Sequence, residues 1–521
     1  MEQKKNNRFE RINSGAGDWP LILFFATAGL VVHFMTFDNF ELHRDAYLYY
    51  AQSEHLAWGY WSVPPFTSLV GRIATLIFGN TVFGMRLFPT LISAANIILI
   101  GMAVKELGGR KAAITLGSLA YLLSPSYLHT DFLFQPVCFE HFFWLLSGYL
   151  ILVMIKRNNP SMWIWLGVVF GLGFMNKYSS VFFYTAFGIS LLISPYRTLY
   201  KSKYFLFALA IGFVIILPNL IWQYLNNWPV AFHMAELRES QLVHVKLSDF
   251  ILEQFMMNAQ AVFLWFGALV VLLFVKAERQ YRLFAFIYLL IVALLMAGSG
   301  KSYYTLGAYP ILFAFGAYFI EKYSKKYLPY VFSFLVIWMF VGFYISLSFD
   351  GIPLVSYEKA LKKDAYRWED GKYHDLSQDM ADMTGWKELG EEIRDVYLAL
   401  EPEQRANCDI YCYHYGQYGA VMFYGKKDRL PQPISFNGSA TFWSPDSLTK
   451  NYMIWVHFDP ENSFDVDSLL THRFEKVTLK TTINNPNFRE DGTRIFLCEK
   501  PTQEYMNYYK VLANERKSRY R

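Results

Sequence analysis

The stretch "ELHRDAYLYYAQSEHLAWGYWSVPP", Glu41 to Pro65, follows directly on the first long apolar segment of the chain. It sets an acidic residue, Asp45, among tyrosines and tryptophans, the side chains that settle at a membrane–water boundary. Pro64 and Pro65 end it and fix the path of the chain after Trp61, because proline carries no amide donor and restricts the residue before it. If the preceding apolar segment crosses a bilayer, this stretch is a loop held at the far surface, and the rest of the chain must be arranged around it.

The 521 residues are 54% hydrophobic, 19% aromatic and 17% charged, well short of the roughly 25% charge usual in soluble domains. Apolar runs long enough to cross a ~30 Å hydrocarbon layer, which takes about 20 residues of helix, recur from Trp19 to about Phe349. Dense charge begins at Asp350, so the expected organisation is a membrane domain over 1–349 and a soluble domain over 350–521. The net charge of +5 is spread over short loops, which argues against a nucleic-acid partner. The N-terminus, "MEQKKNNRFERINSGAGDW", is basic, and Ala26-Thr27-Ala28 loosely fits a signal-peptide cleavage site. That site falls inside an apolar run continuing through Met35, so a retained span is the favoured reading.

Helices are expected near 20 to 37, 82 to 104, 112 to 129, 137 to 155, 161 to 175, 178 to 194, 205 to 222, 252 to 275, 283 to 297, 303 to 320 and 330 to 349, about eleven in all. Alternate loops hold the positive charge: Lys105, Arg110 and Lys111; Lys156 and Arg157; Arg197, Lys201 and Lys203; Lys276, Arg279 and Arg282; Lys322, Lys325 and Lys326. The positive-inside rule puts these loops and the N-terminus in the cytoplasm. An odd count sends the C-terminal domain outside, with the first loop (38–81), the 223 to 250 loop and the Gly298 to Tyr304 turn. The segment 66 to 80, "FTSLVGRIATLIFGN", is short and contains Arg72; it reads as a helix lying in the outer interface, with a further span as the alternative.

In the soluble part a helix is expected near 384 to 400 behind Thr384 as N-cap, with Trp386, Leu389, Ile393 and Val396 at helical spacing. Strands are expected at "DIYCY", "YMIWVHF", "FEKVTLKTTI" and "TRIFLCEK", with a short helix at "GQYGAVMFYG", which makes an α/β domain. Its role is either a stabilising lid or the shaping of an acceptor site. If "CDIYC" is extended, Cys408 and Cys412 stand roughly 13 Å apart, beyond disulfide reach. A bridge from Cys498 and free buried thiols both remain open. No CxxC pair and no HExxH occurs, so no structural zinc or zinc-protease site is signalled; a divalent metal is neither signalled nor excluded.

The chemistry is carried by ionisable groups at outer helix ends. Asp45 faces a set of candidate cations: Arg44 beside it, Arg86 early in the second span, Lys177 in "GFMNKYSS" and Lys301 in "GSGKSYYTLGAYP". A carboxylate opposite several cations suits a reaction in which a hydroxyl is activated while a phosphate leaves. The bland reading of each cation is a snorkelling or helix-pairing role. His43, Glu54, Tyr60, Tyr303, Tyr304, Asp131 and Glu140 complete the candidate substrate-binding set.

At this point the residues meet a known pattern. "LHRDAYLYYAQSEHLAWGYWSVPP" resembles the first exoplasmic loop of the family 39 glycosyltransferases, the protein O-mannosyltransferases and aminoarabinose lipid A transferases with the GT-C membrane fold. The likeness extends in matching order to "GFMNKYS", "GKSYYTLGAYPILFAFGAYFIEK" and "YGQYGAVMFYGKKDRLPQPIS". The resemblance implies inverting transfer of a sugar from a polyprenyl-monophosphate donor to an acceptor hydroxyl on a lipid, glycan or protein, at the outer face of a bacterial cytoplasmic membrane. It places the catalytic aspartate on Asp45 and donor-phosphate contacts on Lys301 and, more weakly, Lys177. Two departures stand out. The family's Glu after the aspartate is Ala46 here, leaving Glu54 as a substitute to consider, and Gln135 takes a position where many relatives carry Asp, with Asp131 and Glu140 nearby. The competing classes are a lipid-phosphate transporter or flippase, against which the lack of an evident internal repeat counts, and an inactive homologue of the same fold.

Overall fold

The computed structural model describes residues 17–240, 246–347, 354–369, 371–459 and 465–519. The basic N-terminal tail, the boundary at Asp350, part of the 223 to 250 loop and the end of the last expected span lie outside them.

Helices occupy the positions where the apolar runs fall: Trp19–Phe34, Val82–Leu107, Lys111–Leu122, Pro136–Lys156, Met162–Asn176, Ser180–Leu192, Lys203–Leu225, Val262–Phe274, Arg282–Ala297, Tyr309–Ser324 and Leu328–Ser346. Among the described residues five helical stretches are long and apolar enough to cross a membrane, or six if one bent pair counts as a span. The molecule is thus a polytopic helical membrane protein. Leu328–Ser346 shows the lipid-facing pattern most clearly: only Leu335 and Met339 are buried, while Phe334, Ile337, Trp338, Phe340 and Val341 are exposed.

Two expected helices are broken. The 252 to 275 run is two helices, Leu247–Met256 and Ala259–Phe274, bent by 60°. Its polar residues turn to neighbouring helices: Asn258 Oδ1 accepts from the Ser124 hydroxyl at 2.9 Å, and Gln260 Nε2 donates to the Ala120 carbonyl at 3.2 Å. The 112 to 129 run ends at Leu122 and restarts as Pro125–Thr130, because Pro125 has no amide proton to continue the ladder. The short amphipathic helix falls where expected, at Phe66–Phe78, with Thr67, Val70, Gly71 and Ala74 buried and Leu69, Ile73, Leu76 and Ile77 exposed.

The soluble domain holds a small hairpin, β1 (Tyr366–Arg367) with β2 (Tyr373–His374), and a four-stranded mixed sheet. That sheet has the order β3-β4-β6-β5, where β3 is Cys408–Cys412, β4 Tyr452–His457, β5 Phe474–Thr482 and β6 Arg494–Pro501. β3 runs parallel to β4; β4 to β6 and β6 to β5 are antiparallel. The central strands β4 and β6 are continuously buried along their middles, as a sheet covered on both faces requires. The helix Trp386–Leu398 is capped by Gly385 in the left-handed region, φ +85, rather than by Thr384. Thr384 turns back to donate to the Met380 carbonyl at 3.0 Å. All four cysteines are free and buried.

The two parts share a core. Leu42, Tyr47 and Tyr50 of the first loop pack in one cluster with Trp386, Leu389, Phe423 and Ile454 of the soluble domain. The helix Arg44–Glu54 is therefore sandwiched between membrane bundle and sheet domain.

Within the bundle, the helices carrying Gly316 and Leu264 touch backbone to backbone: a Cβ added at Gly316 would stand 2.1 Å from the Leu264 carbonyl oxygen, the close approach that small residues permit between membrane helices. Gly316→Leu is expected to cost about 1–3 kcal/mol by overpacking, read as a lower melting midpoint in detergent. Gly267→Ala, whose added methyl meets nothing within 4 Å, should leave the midpoint unchanged or slightly raised.

Glu490 gives a second expectation. It is 2% exposed and accepts from Gln417 Nε2 at 2.7 Å. Burial pushes its carboxyl up to about 7, against the pull of Gln417 and the Arg44 charge. The folded chain therefore keeps this proton to about pH 7, whereas an unfolded glutamate releases it near ~4.3. Between these values the native state binds more protons, so stability falls as pH rises and levels off above about 7. Glu490→Gln should remove that decline: the melting midpoint matches wild type near pH 5 and exceeds it at pH 8.

Candidate active site at the outer loop

The first loop is stitched to a turn of the soluble domain before the helix begins. The Glu41 amide donates to the Met383 carbonyl at 3.0 Å and the Arg44 amide to the Asp382 carbonyl at 2.8 Å. The Glu41 carboxylate accepts from the Lys387 amide at 2.9 Å. His43, in extended conformation, caps the helix: its Nδ1 accepts from the Asp45 amide at 3.1 Å, which puts the neutral ring's proton on Nε2. Asp45 thus sits in the first turn of Arg44–Glu54, where the helix dipole favours a negative charge.

Asp45 Oδ1 accepts from the Tyr415 hydroxyl at 2.6 Å. Oδ2 faces Gln135 Nε2 at 3.4 Å and His43 Nδ1 at 4.0 Å. Burial alone would raise this carboxyl. The charges of His43, when protonated, and of Arg44, with the Tyr415 bond, outweigh it and hold the group below the usual carboxylate range. Asp45 lies deep in the molecule, yet 34% of its side-chain surface is accessible.

A second cluster stands nearby. Lys177 Nζ pairs with Glu140 at 2.7 Å, and the Ser179 hydroxyl donates to the same carboxylate. The ammonium lies 4.5 Å from the Tyr304 ring centroid and 5.8 Å from that of Tyr303. Tyr49 and Tyr303 lie within electrostatic reach of both Asp45 and Tyr304, so the aromatic residues join the Lys177 cluster to the carboxylate. Lys301 is half-buried, and no hydrogen bond or ion pair engages its side chain among the described residues.

Other candidates are held elsewhere. Arg86 is buried and donates to the backbone carbonyls of Phe37, Phe40 and Glu41, with its guanidinium 3.9 Å over the Phe132 ring; it clamps the loop rather than offering an open cation. Arg44 pairs with Asp382 at 3.5 Å. Glu54 pairs with Arg72 at 2.9 Å and with Lys426, so it does not replace the carboxylate missing at Ala46. Ala46 itself is fully buried, a place where a glutamate would need a partner to be tolerated. Tyr60 is an internal tie, donating to the Gln52 carbonyl at 2.9 Å. Asp131 is buried on Tyr121, accepting at 2.8 Å, and burial pushes it up to about 7.

Among the described residues His43, Asp379 and Asp382 offer ligand atoms within 4.8 Å of one another. The His43 Nδ1 lone pair is engaged by the Asp45 amide, Arg44 stands 3.5 Å from Asp382, and His129 lies 3.8 Å from Asp379. These residues form an ion-paired seam and do not fit a metal centre without giving up those bonds. A cavity of about 1020 Å³ opens between the helix Pro229–Ser240 and the turn after Ala297, lined by Met234, Arg238, Glu239 and Ser299 among others. It touches none of the expected site residues; Lys301 comes two positions after Ser299. Sequence reasoning did not single out Tyr415 or Asp382, which stand against Asp45 and Arg44. For Tyr415 a signal existed, since it opens the "YGQYG" segment that carries the family likeness.

Comparison with known proteins bears on the fold. The family model of dolichyl-phosphate-mannose-protein mannosyltransferases matches residues 62–222, a segment that includes Arg86, Asp131, Glu140 and Lys177 but begins after Asp45. A lipid A galacturonosyltransferase, RgtD of Rhizobium johnstonii, is 24% identical over 204 residues, 39% of this chain and 43% of its own length. The chain thus spans less than half of that curated relative. In structure it is similar to ArnT from Cupriavidus metallidurans bound to undecaprenyl phosphate, with TM-score 0.64 and 12% identity over 93% of this chain and 98% of that one. It is also similar to the archaeal oligosaccharyltransferase AglB from Archaeoglobus fulgidus in complex with an inhibitory peptide and a dolichol-phosphate, with TM-score 0.50 and 11% identity over 95% and 77%. The chain thus resembles the mannosyltransferase family in sequence over 62–222 and shares the GT-C membrane fold of these solved structures.

Proposed function

We propose that this protein is an inverting glycosyltransferase that moves a sugar from a polyprenyl-monophosphate donor to an acceptor hydroxyl at the outer face of a bacterial cytoplasmic membrane. The observation that carries the reading is Asp45: accessible over 34% of its side-chain surface, and held below the usual carboxylate range against burial by the Arg44 charge and the Tyr415 bond. Such a carboxylate is ready to act as a base near neutral pH. The oxygen of the acceptor hydroxyl attacks the anomeric carbon from the side opposite the phosphate, its proton passes to Asp45, and the bond to the phosphate oxygen breaks with its electron pair. Lys177 and Lys301 are the cations offered to that departing charge. Tyr303 and Tyr304 beside Lys177 give the sugar an aromatic wall.

The loop charges support the same reading: basic residues recur in alternate loops, and the positive-inside rule reads the turn at Gly298, the first loop and the soluble domain as lying together on the outer side. The relatives point to the donor: ArnT was solved with undecaprenyl phosphate and AglB with a dolichol-phosphate. A lipid-carried sugar suits a compartment without nucleotide sugars.

The test is mass spectrometry of polyprenyl phosphate released when purified protein meets a panel of polyprenyl-phosphate sugars with native envelope lipids, glycans and proteins. Wild type should release it and add one sugar mass to an acceptor. Asp45→Asn should lower the rate about 10²–10⁴-fold, the usual worth of a general base. Turnover that survives Asp45→Asn would sink the mechanism. Lys301→Met is expected to weaken use of the donor, read as a raised KM for polyprenyl-phosphate sugar at a nearly normal melting midpoint.

A further inference from the structure

We propose that Tyr415 of the soluble domain is a positioning residue for Asp45, holding Oδ1 so that the acceptor proton is received on Oδ2. This rests on the reading of Asp45 as the base.

The 2.6 Å separation between the Tyr415 hydroxyl and Oδ1 lies in the range of hydrogen bonds to a charged acceptor. Among the described residues Oδ2 has the long 3.4 Å approach of the Gln135 amide and, at 4.0 Å, His43 Nδ1. The carboxylate is therefore asymmetric: one oxygen is firmly held and the other is loosely held.

Tyr415 is itself fixed. It is the first residue of the helix Tyr415–Gly425, whose start is closed by a reciprocal box in which His414 Nδ1 accepts from the Gly416 amide at 3.1 Å and Gln417 reaches back to the His414 amide. Two glycines let this helix lie directly on the loop helix. A Cβ at Gly416 would stand 2.8 Å from the Arg44 side chain, and one at Gly419 would stand 2.3 Å from the Tyr47 carbonyl. Farther along, the Tyr47 and Tyr424 hydroxyls bond at 3.0 Å, and the Tyr50 hydroxyl donates to the Met422 carbonyl at 3.3 Å. With both helices locked in register, the phenol cannot withdraw from Oδ1 without separating them. In the transfer step the new bond forms between the acceptor oxygen and the anomeric carbon, the bond to phosphate breaks with its electron pair, and the proton comes to rest on Oδ2.

Groups facing Asp45 come from every packed element: His43, Arg44 and Tyr49 from its own segment, Gln135 from the next outer loop, Tyr303 from the turn after Gly298, and Asp382, His414 and Tyr415 from the soluble domain. Of these, Tyr415 donates the shortest bond, and deleting that donor makes the carboxylate easier to protonate.

The experiment is the rate of polyprenyl phosphate release by the full chain against pH for wild type, Tyr415→Phe and Asp45→Asn, with melting midpoints for each. Tyr415→Phe is expected to lower kcat about 10- to 100-fold, leave the donor KM within about 3-fold and move the acidic limb of the pH–rate profile to higher pH. Incorporating 3-fluorotyrosine at position 415, a stronger donor that keeps the ring, should move the same limb to lower pH; this arm serves should Tyr415→Phe fold poorly. An unmoved limb in both replacements, whatever happens to kcat, overturns the proposal and leaves Tyr415 a packing residue. Turnover by Asp45→Asn instead overturns the base reading itself, a separate failure visible in the same experiment.

Discussion

Keeping the Asp45 carboxylate charged between two packed domains demands compensation, because removing a lone carboxylate from water costs several kcal/mol even after relaxation. The chain meets this with neighbours drawn from separate segments: the Arg44 charge and the His43 cap in sequence, and the Tyr415 hydroxyl across space. The neighbours are then held in turn. Arg44 is anchored by Asp382, His43 is fixed by its bond to the Asp45 amide, and Tyr415 is fixed by its helix. No element of this set can move alone.

That constraint explains why the soluble domain is built onto the bundle rather than tethered to it. The loop helix shares its apolar core with the sheet domain, and its entry is stitched to the 382 to 387 turn by backbone bonds. Glycine at 416 and 419 brings two helices closer than side chains would allow. Arg86 secures the other side by binding three carbonyls of the approach to the loop. A lid would need a weak, polar interface to open, whereas this interface buries Tyr47, Tyr50, Trp386 and Leu389 completely.

Much of the membrane architecture was legible in the sequence because hydrocarbon imposes length and composition on every helix. The breaks at Asn258 and Pro125 differ in kind. Proline announces its break locally, while the bend at Asn258 depends on Ser124 and Ala120, which lie far away in sequence. The strands of the soluble domain were legible from short β-rich runs, but the cap at Gly385 was not, since Thr384 is the better local candidate and only its turn back to Met380 removes it. At the site, the sequence singles out Asp45 by its place among interface aromatics and by the family likeness. Arg86 was misread because a cation at an outer helix end looks the same in sequence whether it faces a ligand or a backbone. Tyr415 was not assigned a role because its bond to Asp45 spans 370 residues, a distance no periodicity reports.

The two lysines near the aromatic wall illustrate how pairing, rather than charge alone, decides what a cation can do. Lys177 is already neutralised by Glu140, which is 2% exposed and also accepts from Ser179. A phosphate arriving beside Lys177 meets a buried carboxylate as well as an ammonium, so net attraction there is small. Lys301 brings no such partner among the described residues, and its charge is available in full. In the proposed reaction Lys177 therefore serves best as a fixed post, orienting Tyr303 and Tyr304 through its contact with their rings, while Lys301 carries the larger share of the phosphate charge. The family likeness ranks the two lysines in that order from motif alone, and the ion pair supplies the physical reason for it.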